Sequence, residues 1–383
     1  MGLPAAADPA AAGTLSSLRM VRPIPVAVFV SPHGYGHAAR ACSLMQALSD
    51  LDATTRFEVF TLVPEWFFAD SLTCPFSHHS LLTDVGLVQA TPLVEDLDGT
   101  LMRLDEFLPF GTGQLDDLAR TLDELGCQLA LCDISPLGIA AARRAGIPSV
   151  LVENFTWDWI YEPYTESRPA FSRAIAALAE LFEDATIHIQ TEPVCRPDNR
   201  FPTVPPMSRA PRTPAHEVRR RLGMPDDASM VLITMGGIPW HHGSLHRLEE
   251  HGDVFFVVPG AASRPERRGS LLALPHRSGF FHPDLVHAAD GVIGKLGYST
   301  LAEVYAAGVP FGHIGRPTFR ESAPLAGFVA GHVPSLAITA EEIAQAAWLD
   351  RVPDLLFLQK AEGSRINGAV AAARTVHRFL GGG

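Results

Sequence analysis

The sequence is poor in cysteine, with five in 383 residues: Cys42, Cys74, Cys127, Cys132 and Cys195. They are odd in number, scattered and without a CxxC pair. That pattern fits neither a disulfide framework nor a thiolate zinc site, and the simplest setting for it is a reducing cytoplasm. No other metal-ligand constellation is present, so no metal is expected. The chain lacks any run of about 20 apolar residues, so no transmembrane segment is expected. Residues 1–20, MGLPAAADPAAAGTLSSLRM, lack a basic leader and a sustained apolar stretch and carry Asp8. They read as a floppy leader, not as a secretory signal. Positive charge is also short: 30 Lys and Arg against 42 Asp and Glu give a formal net charge of −12. Nucleic-acid partners require a basic face, so none is expected, and any anionic ligand must be held by a local site. Repeats with periods of about 20 to 50 residues are absent, which excludes solenoids and propellers.

What the chain does have is length and apolar content, 383 residues at 47% hydrophobic. Single cores rarely outgrow roughly 250 to 300 residues, so two are expected. The apolar runs VAVFV (26–30), FEVFTL (57–62), LALC (129–132), SVLVEN (149–154) and TIHIQ (186–190) alternate with amphipathic or Ala-rich stretches. That alternation predicts βαβ units and a mostly parallel sheet. A Pro-rich stretch without periodicity, RFPTVPPMSRAPRTP, interrupts it, and the pattern restarts with SMVLITM (229–235), VFFVVPG (254–260), GVIG (291–294) and PFGHIG (310–315). The expected organisation is a leader (1–22), a Rossmann-like domain (23–203), a linker (204–226) and a second Rossmann-like domain (227–360). A C-terminal helix (361–383), free to pack back on the first domain, completes it.

Two strand-to-helix turns carry the chemical signal. SPHGYGHAAR (31–40) places Gly34, Gly36, His33 and His37 between a buried strand and a helix. It reads equally as a phosphate cradle, a site of histidine chemistry or a tight corner. HAADGVIGKLGYSTLAEVYAAGVP (287–310) has a strand, a glycine turn bearing Lys295 and a helix starting near Ser299 and Thr300. Such a turn presents backbone N–H groups and a positive dipole end to a phosphate, and Lys295 adds a full charge. The plainer reading of Thr300 and Glu303 is an S/T-x-x-E capping box, worth about 1 kcal/mol to any helix. Trp157 and Trp159 flank Asp158 in ENFTWDWIYEPY (153–164), as aromatic faces and carboxylates do where proteins grip sugar rings. A hydrophobic lid is the alternative.

Taken together, GKLGYSTLAEVYAAGVP with GRPTFRESAPLAGFV resembles the donor-binding segment of GT-B glycosyltransferases, and GYGHAAR resembles their first glycine-rich turn. With ENFTWDWIYEPY, these motifs are similar to the glycosyltransferase-like N-terminal portion of L-arabinokinases and to free-standing bacterial relatives, over roughly residues 24 to 335. No sugar-kinase segment accompanies them, so kinase activity is not implied. The resemblance implies an α/β GT-B fold, two Rossmann-like domains with parallel sheets facing across a cleft.

The same resemblance implies that Lys295, Gly297, Ser299 and Thr300 meet a donor pyrophosphate and that Glu303 accepts from ribose hydroxyls. Arg316, Arg320 and Glu321 would form the polar loop beside the donor. Gly34 and Gly36, and Gly236 and Gly237 of TMGGIPWHHG (234–243), would let the backbone approach it, with His241 and His242 nearby. In such a cleft His37 is placed to deprotonate an acceptor hydroxyl, since an unperturbed histidine pKa of about 6.5 suits a base at neutral pH. Asp133 or Glu153 would orient its ring. Glu153, Trp157, Asp158 and Trp159 are the expected acceptor or sugar contacts. The expected activity is metal-independent sugar transfer from a nucleotide-sugar, uridine-linked, to a hydroxyl acceptor, with the nucleotide-sugar a substrate and no cofactor. Two alternatives stand beside it: a nucleotide-sugar hydrolase, because GYGHAAR also resembles the G-x-G-H-x-x-R turn of GT-B-like enzymes that cleave donors with water, and a non-catalytic nucleotide-sugar binding protein. A dehydrogenase is disfavoured, because the first turn lacks G-x-G-x-x-G and no acidic residue ends the second strand.

Overall fold

The fold is seen in a computed structural model that describes residues 23–91, 94–225, 227–235, 245–316, 318–362 and 365–381. The first half contributes β1 (Ile24–Val30), β2 (Thr55–Thr61), β3 (Phe76–Ser80), a short antiparallel pair β4 (Gln89–Thr91) and β5 (Val94–Glu95), β6 (Leu129–Asp133), β7 (Ser149–Glu153), β8 (Ile187–Thr191) and β9 (Thr203–Val204). The second contributes β10 (Ser229–Thr234), β11 (Val254–Pro259), β12 (Glu266–Arg268), β13 (Leu271–Leu274), β14 (Gly291–Lys295), β15 (Phe311–Ile314) and β16 (Ser335–Ile338). They assemble into two seven-stranded sheets, ordered β3-β2-β1-β6-β7-β8-β9 and β12-β13-β11-β10-β14-β15-β16. Among the described residues of these sheets only the β12–β13 pairing is antiparallel.

Burial on both faces explains why the strands read as continuous apolar runs. In β1, Val26, Val28 and Val30 pack against the helix α1 (Tyr35–Leu51) and the C-terminal helix Gly368–Phe379. Ala27 and Phe29 face the helices Pro136–Ala145 and Phe171–Glu183 on the other side. The second sheet is likewise covered, by the helices His282–Ala288, Tyr298–Ala307 and Ser322–His332 on one face and by Trp348, Val352 and Leu355 on the other. Among the described residues no helix is long and apolar enough to cross a membrane.

Strand order reverses between β1 and β6 in one sheet and between β10 and β14 in the other, and ligands of doubly wound sheets bind at such switch points. The two switch points face each other. A Cβ added to Gly36, in the turn after β1, would sit 3.6 Å from Ser299 Oγ at the start of the Tyr298 helix. Tyr298 itself crosses the divide: its hydroxyl is 2.6 Å from Thr191 Oγ1 and accepts from the Met207 N–H at 3.0 Å.

Candidate active site

α1 starts abruptly after β1 because Gly34 takes φ 84°, ψ 171°, a conformation open only to glycine. This swings His37 and Arg40, three residues apart and so on one helix face, towards the end of β6. His37 Nδ1 lies 2.9 Å from Asp133 Oδ1. Arg40 grips the same carboxylate with a fork, Nε to Oδ2 at 2.8 Å and Nη2 to Oδ1 at 2.6 Å, and donates Nη1 to Asn154 Oδ1 at 2.6 Å. Burial opposes ionisation of Asp133, but the Arg40 charge and hydrogen bonds, with His37, outweigh it and hold the carboxyl below its usual range. Arg40 Nη2 also lies 3.3 Å from His37 Nδ1; in the tautomer that donates Nδ1–H to Asp133, the ring keeps its lone pair on Nε2.

Below this pair lies Asp84, buried and taking hydrogen bonds from Ser31 Oγ at 3.0 Å and Trp157 Nε1 at 2.9 Å. Desolvation pushes its carboxyl up to about 6, against the Trp157 hydrogen bond. His33, edge-on to Trp157 at 5.2 Å, is driven down to about 3 by burial, reinforced by electrostatic repulsion from the His37, Arg316 and Lys295 side chains. His33 is therefore a neutral imidazole near pH 7.

Across the cleft the Tyr298 helix begins with Gly297 as N-cap and no side-chain cap, so its first N–H groups lack intrahelical partners. Lys295 ends β14 just before it. Burial, then repulsion by Arg316, lowers the Lys295 ammonium to about 8. Arg316, 5% exposed, stacks on Phe319 at 3.8 Å and leaves its buried Nε without a hydrogen-bond partner. Among the described residues neither cation has an ion pair. Both line a cavity of about 360 Å³ together with His37, Gly297, Ser299 and Glu321.

A second lobe of about 400 Å³ adjoins it, sharing Tyr35, Ser299 and Thr300. Glu303 is buried in its wall, where Oε1 accepts from Arg209 Nη2 at 2.8 Å and Oε2 lies 2.7 Å from His282 Nδ1. Desolvation resists ionisation here too, but Arg209 and His282 prevail and bring the carboxyl down to about 2. Arg209 comes from the linker and is flanked by Phe67 of the first domain at 4.9 Å and Phe281 of the second at 5.1 Å.

The structure therefore gathers Gly34, Gly36, His37, Lys295, Gly297, Ser299, Thr300, Arg316 and Glu321 around one cavity, with Asp133 behind His37 and Glu303 in the adjoining lobe. Gly236 and Gly237, with His241 and His242, lie outside the described residues. Other expectations need correction. Arg320 lines neither lobe; it stacks on Trp159 at 4.1 Å, bonds the Trp159 carbonyl and reaches Glu162 Oε2 at 2.6 Å, as a strut between domains. Trp157 is 1% exposed, and Trp159 and Asp158 are buried with it behind the cleft wall, because this short helix fills the core beside Tyr161. Glu153 is turned to His188 at 2.8 Å and Gln190 at 2.9 Å, so of the two carboxylates considered it is Asp133 that meets His37. The capping box does not form either: Thr300 lies inside the helix, and Glu303 turns to Arg209 and His282. Sequence reasoning missed Arg40, Asp84, Asn154, Arg209 and His282. Only Arg40 carried a local signal, its i+3 spacing from His37 as the last residue of the G-x-G-H-x-x-R pattern, to which no role was given.

Two Rossmann-like domains, each with its switch point on a shared cleft, define the GT-B fold, and the chain has that fold. It superimposes on the glycosyltransferase of kitacinnamycin with a TM-score of 0.62 at 15% identity, covering 94% of this chain and 99% of the other. A UDP-glucosyltransferase from Polygonum tinctorium gives 0.60 at 14% identity, with coverages of 94% and 99%. In sequence, the chain is 27% identical over 355 residues to L-arabinokinase of Arabidopsis thaliana, matching 91% of this chain and 33% of that protein. It thus spans about a third of that relative's length. It is 26% identical over 235 residues to an uncharacterized glycosyltransferase of Methanopyrus kandleri, matching 59% of this chain and 67% of the relative. No protein-family model matches the chain.

Proposed function

We propose that the protein is a glycosyltransferase that moves a sugar from a nucleoside-diphosphate donor to a hydroxyl acceptor. The observation that carries this reading is the convergence, in one cavity, of two cations without an ion pair among the described residues, Lys295 and Arg316, an uncapped helix N-terminus and the His37 imidazole. An unpaired buried cation is costly to a fold, and a diphosphate is the ligand whose charge would offset two of them at a helix start. The nucleoside occupies the neighbouring lobe, where the ribose meets the lone pairs of Glu303 that Arg209 and His282 leave open. Uridine is the proposed base, on the strength of the UDP-glucosyltransferase among the structural neighbours.

In the reaction His37 Nε2 takes the acceptor proton, and the freed oxygen bonds to the anomeric carbon as the bond to the diphosphate oxygen breaks. Asp133 holds the imidazole and stabilises its protonated form. The charge that builds on the leaving diphosphate is met by the helix N–H groups, Lys295 and Arg316. We propose that this suffices without a metal ion, so EDTA leaves turnover unchanged.

One observation favours a second reading, hydrolysis of the donor. The His37 lobe, about 360 Å³ and walled by Leu87, Phe155 and Phe319, is at the small end of ligand pockets, which run from about 300 to 1,000 Å³, and leaves limited space beyond a sugar. Incubation with UDP-sugars, with and without a panel of hydroxyl acceptors, tests both. Transfer is read as UDP release that requires an acceptor, hydrolysis as free sugar without one. In either case the account expects loss of at least about 100-fold in His37→Ala, in the range of general base catalysis. Turnover unaffected by that substitution would remove His37 from the mechanism.

A further inference from the structure

Arg40 has no part in the bond changes just described, yet it is the most heavily engaged side chain beside them. It is 1% exposed, and three of its nitrogens are committed: the fork to Asp133 and the bond to Asn154. Its guanidinium lies 4.8 Å from the Tyr298 ring centre, at the start of the donor-side helix. Asn154 continues the chain by donating Nδ2 to Glu321 Oε1 at 2.9 Å, on the loop after β15. The sequence of contacts His37, Asp133, Arg40, Asn154, Glu321 thus runs unbroken from one domain to the other. Desolvating a guanidinium is expensive, and an apolar residue of similar volume often serves packing as well or better. Packing alone does not account for an arginine here.

We propose that Arg40 is a positioning residue for His37: it locks Asp133 in the orientation that receives Nδ1–H, moderates the carboxylate's pull on the imidazole, and links that setting through Asn154 to the Glu321 loop. The proposal rests on the reading of His37 as the base. A carboxylate without a cation favours the protonated imidazole, and a protonated imidazole accepts no proton from an acceptor. The other groups facing His37 are Asp84 and His33 from the first domain's loops, with Lys295 and Arg316 across the cavity. None of them bonds to Asp133. Glu321 lines the cavity, so a ligand that shifts it moves Asn154 and, through it, the Arg40 fork.

The test is an NMR titration of the His37 ring in the ligand-free full chain, with circular dichroism as the check on folding, for the wild type, Arg40→Met, Arg40→Lys and Asn154→Ala. Removing the positive charge strengthens the net pull of Asp133, so in Arg40→Met the midpoint moves to higher pH than in the wild type. The acid limb of kcat/KM moves with it. Arg40→Lys restores most of the shift, since charge returns without the fork. Asn154→Ala leaves the ligand-free midpoint in place but abolishes the change that saturating UDP produces in the wild type. A folded Arg40→Met with an unmoved midpoint overturns the proposal. If Arg40→Met does not fold, Arg40→Lys and Asn154→Ala decide: a wild-type response to UDP in Asn154→Ala overturns the link. The ligand-free titration needs no turnover, so an inactive wild type would sink the functional reading and leave this measurement standing.

Discussion

At the residue scale, the cleft's behaviour is set by charges held away from water. Lys295, lowered to about 8, carries its charge in the free protein below that pH and loses it above. The affinity for UDP should therefore fall as pH rises from about 8 to 10, before any loss of fold, and calorimetric titration across that window checks it. Glu303 behaves with the opposite sign. Its folded carboxyl, near about 2 against an ordinary 4.5, contributes stability that is fully present above 4.5 and is lost as pH falls through 2. The difference amounts to about 3 kcal/mol, shared with Arg209 and His282. Urea denaturation of Glu303→Gln should show it clearly less stable than wild type at pH 7, with the gap closing towards pH 2. The turns that hold Lys295 and His37 were legible in the sequence because each lies in a strand, glycine, helix pattern. Arg209 and Asp84 were not, because a Pro-rich linker and a loop carry no periodicity, and their partners Glu303 and Trp157 lie far along the chain.

At the scale of the element, the two glycines around Lys295 separate structure from binding. A Cβ on Gly294 would come within 2.2 Å of the Thr234 carbonyl oxygen, because β10 and β14 pair there. Backbone cannot retreat as a side-chain tip can, so Gly294→Ala should cost several kcal/mol, seen as a large drop in Tm or loss of soluble protein. Gly297 has φ −137° and nothing within 4 Å of an added Cβ, so Gly297→Ala should melt close to wild type. Its methyl would stand in the open space beside the first N–H groups of the Tyr298 helix, where the diphosphate is proposed to lie, and UDP affinity should fall by roughly tenfold. Ordinary affinity in Gly297→Ala would mean that the diphosphate lies elsewhere. Central strands were readable because both faces are buried, as with Val28 and Phe29 of β1. The edge strands were not: β3, with sequence FSHHS, and β12, with ERR, are polar where a sheet edge meets solvent.

At the scale of the molecule, the last helix returns from the second domain to close the first. Ala369, Ala372, Ala373 and Val376 are buried in the same core as Ala38, Leu44 and Met45 of α1, the helix that carries His37. Deleting 361–383 should cost roughly 3 to 5 kcal/mol and lower the melting of the first domain by about 10 °C. Differential scanning calorimetry checks this, and an unchanged thermogram would show that the helix only decorates the surface. The cleft itself depends on both domains, since Lys295 and Arg316 come from one and His37 from the other.

We propose that Lys295 and Arg316, which have no ion pair among the described residues, hold the diphosphate of a nucleotide-sugar at the start of the Tyr298 helix. Isothermal titration of the full chain with UDP, GDP and dTDP at pH 7, repeated on Lys295→Ala and Arg316→Ala, tests it most directly. Saturable binding is expected, strongest for UDP and weakened about 10- to 100-fold in each variant, as for loss of a charge-assisted hydrogen bond. Absence of binding by any nucleoside diphosphate to a folded wild-type protein, or binding that survives both substitutions, would contradict it.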